Sequence, residues 1–351
     1  WVRGHPLRPI GLEELGCYCF TEMERSVRDT GYVAKISRAT GVPFSLLRSS
    51  YQSLPEVNHP SPYPEPFAFT NHGLGVMANG GRAVSHYRIP FLQKDMVKCA
   101  FSEFKKRADY IEGDTVKYVA LHYSLQNRDF RSVEIPKNQM KTDGQDYALE
   151  DAYGTYEMLN RSHLLVDLVF DEQLTRDYLA GYPVLVLSNS ACLSEEQCEE
   201  IRKYVSAGGT LIATHETSLM DELGMKRDNF ALADLLGVDY SMEMLLRESL
   251  HPYQVFPPKG IIYVPHDHNL AEKFGYLVCF AARETTVSVP TDADVEVLCT
   301  RSSLKGGPSL ADFRPDAEYD SSEPTVTLHR FGKGRAIYIA ADVGGGYVHN
   351  P

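Results

Sequence analysis

The stretch from Tyr182 to Ser218, YPVLVLSNSACLSEEQCEEIRKYVSAGGTLIATHETS, constrains this chain more than any other. Val184 to Leu187 is a short apolar run, the pattern of a strand buried on both faces. Ser194 stands where a helix N-cap belongs, and Gln197 completes an S-x-x-E/Q capping box three residues later. Ile201, Tyr204 and Val205 recur at helical spacing, and Gly208-Gly209 follows where a helix should stop. Thr210 to Thr214 reads as a second buried strand. Strand, helix and strand in succession predict a βαβ unit, so this part of the chain belongs to the α/β class with parallel pairing.

The rest of the chain alternates in the same way. Leu15–Phe20, Val42–Leu47 and Arg82–Tyr87 read as strands, and Tyr32–Thr40, Phe67–Ala78 and Met96–Ile111 as helices. A boundary is expected near Glu112-Gly113-Asp114, giving domains 1–113 and 114–351, in line with about two domains for 351 residues. Beyond it, Val116–Tyr123 and Leu165–Phe170 are predicted strands and Ala152–Ser162 a helix, with residues 125–151 as a long polar loop. Phe230–Leu236 reads as a short helix, 241–320 as strand-like with many turns, and Val326–Ala341 as a hairpin turning at Gly332-Lys333-Gly334. Gly344-Gly345-Gly346 reads as a flexible tail end.

The net charge of −12 opposes association with nucleic-acid phosphates or an anionic membrane surface, so neither is expected as a partner. No apolar run approaches the length of a membrane span. Seven cysteines, an odd number without a C-x-x-C pair, predict reduced and mostly buried thiols. With no signal-peptide pattern, that fits a cytoplasmic protein. The chain begins at Trp1 and stops at Pro351 without a closing element, the pattern of a fragment.

Several motifs invite chemistry and resolve into plainer readings. FGKGR at 331–335 lacks the G-x-x-x-x-G-K-[ST] spacing and joins two strands, which favours a hairpin over a phosphate loop. His251 and His266-Asp267-His268 lie among turn residues and read as surface groups, so no metal is expected. No cofactor fingerprint is present. The candidate site residues instead follow the first predicted strands, at the sheet end where α/β enzymes keep their ligands. Glu22 is the candidate catalytic carboxylate, set against a helix-capping role. Glu24, Arg48, His86 and Arg88 are candidates for binding substrate hydroxyls or a carboxylate, set against structural salt bridging.

The segment GGTLIATHETS resembles the strand-to-helix elbow of the class I glutamine amidotransferase fold. That resemblance puts His215, and no cysteine, at the nucleophile position, which implies a fold without its chemistry. Taken with LADLLGV and FGKGRAIYIAAD downstream, the order of elements resembles the family 42 glycoside hydrolases. The resemblance implies an α/β chain: the C-terminal part of a (β/α)₈ barrel, then a flavodoxin- or amidotransferase-like doubly wound domain that mediates trimerisation. LGCYCFTE, VPFSLLRSS and MANGGRAVSHY would be about the sixth, seventh and eighth barrel strands. It further implies a carbohydrate substrate, hydrolysis of O-glycosidic bonds by carboxylate acid/base catalysis, and a homotrimer. The match places Arg48 at or beside the position of the family's nucleophile glutamate, so the alternative is a catalytically inactive carbohydrate-binding or oligomerisation module.

Overall fold

A computed structural model describes residues 18–23, 27–48, 66–85, 94–111, 113–131, 149–245, 260–265, 277–280, 283–291, 293–303 and 320–349. The chain divides into two compact units, Trp1–Val116 and Lys117–Pro351.

In the first unit, β1 (Cys19–Met23), β2 (Phe44–Arg48) and β3 (Arg82–Ser85) form a parallel sheet in the order β1-β2-β3. Helices α1 (Val27–Ala39), α2 (Pro66–Ala78) and α3 (Lys94–Lys106) alternate with the strands, and a 3₁₀ turn follows at Ala108–Tyr110. Ala34, Phe44, Leu46 and Val76 make one apolar core, and Phe69, Met77, Ala100 and Phe104 make another. Gly41 and Gly80 adopt positive φ just past α1 and α2, where left-handed backbone lets the chain leave a helix. β1 is described from Cys19, and residues 15–17 of the expected strand lie outside the described residues. α1 starts earlier than expected, and its first turn (Val27-Arg28-Asp29-Thr30) is too polar to announce a helix.

The second unit is built on a nine-stranded mixed sheet, with a separate antiparallel pair of strands beside it. Its elements run β4 (Val119–His122), α4 (Leu125–Phe130), α5 (Glu150–Arg161), β5 (Val166–Val169), α6 (Arg176–Leu179), β6 (Val184–Leu187), α7 (Glu195–Ser206), β7 (Thr210–Thr214), α8 (Ala233–Leu236) and β8 (Asp239–Leu245). There follow β9 (Gly260–Pro265), β10 (Leu277–Phe280), β11 (Arg283–Ser288), β12 (Val295–Ser303), β13 (Asp320–Phe331), β14 (Gly334–Ile339) and α9 (Val343–His349). The sheet order is β10-β9-β12-β13-β14-β7-β6-β4-β5. The five strands from β14 to β5 pair in parallel, and the others join antiparallel.

The βαβ unit forms as its sequence predicts. Ser194 Oγ accepts from the Gln197 amide, and the Gln197 side chain accepts from the Ser194 amide, so both halves of the capping box are made. Cys198, Ile201, Tyr204 and Val205 are the buried face of α7, packed on Leu185, Leu187, Leu211 and Ala213. The glycine pair has two separate jobs. Gly208 takes φ +124°, and Gly209 lies under the Tyr204 ring so closely that a Cβ there would collide with it. The Tyr204 hydroxyl donates to the Tyr182 carbonyl at 2.9 Å, tying the helix end to the start of β6.

Two expectations change. The polar segment after β4 is not all loop, because Leu125–Phe130 forms α4 with Ser124 as N-cap. Residues 132–148 of that segment lie outside the described residues. The glycine triplet is not a tail end. Gly344, Gly345 and Gly346 are buried within α9, which packs on α5, and a Cβ on Gly344 would collide with the Asp151 carbonyl. Missing side chains here permit a close helix–helix approach rather than disorder. The described cysteines are mostly buried, as expected: Cys192, Cys198 and Cys299 are buried, Cys19 is half-buried, and Cys99 is exposed on α3. Burial pushes the thiol of Cys192 up to about 11 and that of Cys198 up to about 12, so both stay protonated and unreactive. FGKGR makes the predicted hairpin, with Phe331 paired to Gly334 and Gly332 at φ +60°. No described helix is long and apolar enough to cross a membrane.

Candidate functional site

The parallel register of the first unit brings the sequence candidates to one end of a sheet. Glu22 in β1 pairs with Leu47 in β2, Met23 pairs with Arg48, and Arg48 pairs with Ser85 of β3. Glu22 and Arg48 therefore occupy backbone positions one register step apart at the carboxyl ends of adjacent strands. Glu24 follows β1, and His86 and Arg88 follow β3 in sequence, but these three lie outside the described residues. So do His251 and His266-Asp267-His268. Among the described residues, no group of three His, Cys, Asp or Glu side chains could hold a metal ion.

The carboxyl end of the second unit's sheet carries a larger polar constellation than sequence reasoning foresaw. His122 closes β4, Asp171 follows β5, and Ser190 follows β6. The three stand in a row: His122 Nδ1 lies 2.9 Å from Ser190 Oγ, and His122 Nε2 lies 3.2 Å from Asp171 Oδ1. A carboxylate only accepts, so Nε2 carries the proton in the neutral ring and Nδ1 accepts from the serine hydroxyl. Asp171 also accepts from Ser124 Oγ (2.8 Å) and from the amides of Leu125 (2.7 Å) and Gln126 (3.2 Å). Burial pushes this carboxyl up, but the hydrogen bonds from His122, Ser124 and Leu125 outweigh it and hold Asp171 below its ordinary value.

A nucleophile, a base and an orienting acid are the parts of a hydrolytic triad, but these are sealed. Ser190, His122 and Asp171 are 1%, 1% and 4% exposed. The same end is filled by further hydrogen-bonded groups. Asp151 accepts from Asn189 Nδ2 (2.9 Å), from the Gly345 amide (3.0 Å) and, at its backbone carbonyl, from Ser188 Oγ (2.9 Å). Asn127 bridges the Asn189 carbonyl and the Cys192 amide, both at 2.7 Å. The crevice that open α/β sheets use for ligands is occupied here by the protein's own side chains.

His215 sits at the predicted elbow, immediately after β7. It has φ +50°, the sharp backbone turn that such an elbow requires, and it is fully buried. Its Nδ1 lies 2.6 Å from Thr285 Oγ1, and its carbonyl accepts from the Tyr338 hydroxyl at 2.7 Å. Glu216 beside it pairs with Arg131 at 2.8 Å, both side chains buried. The elbow is a scaffold element with no exposed reactive atom. The signal that sequence reasoning passed over was positional: LHYS, VFDE and LSNS each place polar residues at the end of a short apolar strand.

Residues 117–260 match the family described as the beta-galactosidase trimerisation domain. The fold is similar to that of a beta-galactosidase from Bacillus circulans sp. alkalophilus (TM-score 0.64, 16% identity, covering 94% of this chain and 49% of that one). It is also similar to a family 42 glycoside hydrolase, a beta-galactosidase from G. stearothermophilus (TM-score 0.62, 16% identity, 92% and 46%). A third match is an alpha-L-fucosidase isoenzyme from Paenibacillus thiaminolyticus (TM-score 0.60, 19% identity, 90% and 43%). The chain thus resembles the family 42 glycoside hydrolases in fold over nearly all its length, and it spans less than half the length of each of these three chains.

Proposed function

We propose that this chain is part of a glycoside hydrolase that cleaves O-glycosidic bonds, with its chemistry in the first unit and an assembly role for the second. In this reading β1, β2 and β3 are the last strands of a (β/α)₈ barrel, and the second unit is an amidotransferase-like doubly wound domain that holds a homotrimer together. The observation that carries it is the parallel register that sets Glu22 and Arg48 at one carboxyl sheet end, while the second unit's corresponding end is closed by its own buried network.

Glu22 supplies a carboxyl group for acid/base catalysis through an oxocarbenium-like transition state, and Glu24, Arg48, His86 and Arg88 bind the hydroxyls of a carbohydrate. Turnover of a panel of aryl glycosides by the purified protein tests this, with Glu22→Gln alongside. The expected result is turnover of at least one substrate, reduced by about a hundredfold or more in the variant. Turnover unchanged in Glu22→Gln removes that residue from the account.

A second reading rests on one observation: β2 ends in Arg48 rather than in a carboxylate. On that reading the protein is a carbohydrate-binding or assembly module without turnover, and calorimetry with the same glycosides gives binding and no product.

A further inference from the structure

Asp221 to Met225 form a tight turn built to hold two large apolar side chains in water. Asp221 Oδ1 accepts from the amides of Leu223 (3.0 Å) and Met225 (2.8 Å). The Asp221 amide donates to the Met225 carbonyl, and the Gly224 amide to the Asp221 carbonyl, both at 3.0 Å. Gly224 takes φ +81° and presses against Phe130, whose carbonyl a Cβ there would strike. The turn's stem is anchored as firmly: the Met220 amide donates to Ala191, the Arg227 amide to Leu219, and the Arg227 guanidinium to Leu193. On this fixed frame Leu223 is 60% exposed, Met225 68% and, beside them, Phe130 41%. Exposed Glu222 precedes Leu223 in the turn, and the Arg128–Asp129 ion pair immediately precedes Phe130.

Side chains of this kind in water cost free energy unless something covers them, and an apolar centre with a polar border is the form of a protein contact. The feature is a projecting turn, whereas small molecules need concave sites. The frame is rigid before any contact forms, so little ordering entropy opposes association. The turn and Phe130 both fall within residues 117–260, the segment that matches a trimerisation domain. We infer that the Leu223–Met225 turn, with Phe130, is a contact through which one copy of this chain binds another. This rests on the assembly role proposed above for the second unit and names the surface that performs it. In a cyclic trimer each contact is head-to-tail, so the turn of one copy meets a different surface on the next.

The test is sedimentation of the purified protein across a concentration series. It compares the parent with Leu223→Ser/Met225→Ser, with Phe130→Ser, and with the apolar swap Leu223→Met/Met225→Leu, with circular dichroism as a check on folding. The parent should self-associate. The double serine variant should keep its fold and lose association on the order of a hundredfold, and the apolar swap should retain it. Full assembly in a folded double serine variant overturns this inference while leaving the assembly role intact. A parent that stays monomeric at every concentration overturns both.

Discussion

Arg131 and Glu216 meet at 2.8 Å with both side chains buried, joining the end of α4 to the elbow after β7 across 85 residues of sequence. Removing one partner leaves an uncompensated charge in a dry place. Arg131→Met should therefore cost about 3–5 kcal/mol in urea unfolding, and Arg131→Met/Glu216→Leu should recover much of that loss. A double variant no more stable than the single would argue against the pair as the source of the cost.

Gly209 tolerates no side chain because the Tyr204 ring covers it. Gly209→Ala should lower stability by about 1–3 kcal/mol through overpacking. Tyr204→Leu removes the collision, so adding Gly209→Ala to it should cost much less than in the parent. Equal costs in the two backgrounds, read from unfolding midpoints, would show that the ring is not the obstacle.

Asp171 links stability to pH. Its folded carboxyl titrates below its ordinary value, so the native state favours the ionised form. That contribution is fully present above the unfolded value of about 3.9 and is lost as pH falls through the folded one. Asp171→Asn should be less stable than the parent at neutral pH, and the gap should narrow once the pH drops below about 4. A gap independent of pH would mean that ionisation of Asp171 plays no part.

Ser190 is placed like a nucleophile but is 1% exposed. Ser190→Ala should cost about 1 kcal/mol for the lost hydrogen bond to His122. It should leave glycoside turnover as it was, as measured with the aryl glycoside panel. A large fall in turnover without a fall in stability would reopen the Ser190–His122–Asp171 row as a working site.

Gly344 lies in α9 against the Asp151 carbonyl. Gly344→Ala should loosen α9 from α5, visible as faster amide exchange over 343–349 than in the parent. Unchanged exchange there would mean that the close approach is not needed.

The βαβ core was legible because every signal for it is local. A capping box, an apolar face and a glycine pair lie within one short stretch, and Val184–Leu187 and Thr210–Thr214 form as read. The helix α4 was illegible for the opposite reason. Its Leu125 and Gln126 amides are satisfied by Asp171, 46 residues away from Leu125, and Ser124 as N-cap is a slight local signal for a helix of six residues. Gly344 to Gly346 misled because glycine in a helix is costly on propensity alone, and only the packing of α5 reveals why it is there. The Ser190–His122–Asp171 row was hidden in the same way: each member stands at or just past the end of a different strand, and only the parallel register sets the three side by side.

Asp171 is hydrogen-bonded at once to the first turn of α4, to the end of β4 through His122 and, beyond it, to the segment after β6 through Ser190. Opening α4 or the end of β4 would release hydrogen bonds that the buried Asp171 carboxylate accepts, and opening the segment after β6 would release the Ser190 bond to His122. The strand ends and the short helix therefore form a single cooperative block, in which local fluctuations are suppressed until the block as a whole gives way. Such a block should resist deformation as a whole instead of yielding piece by piece, which would suit the assembly role proposed for the second unit.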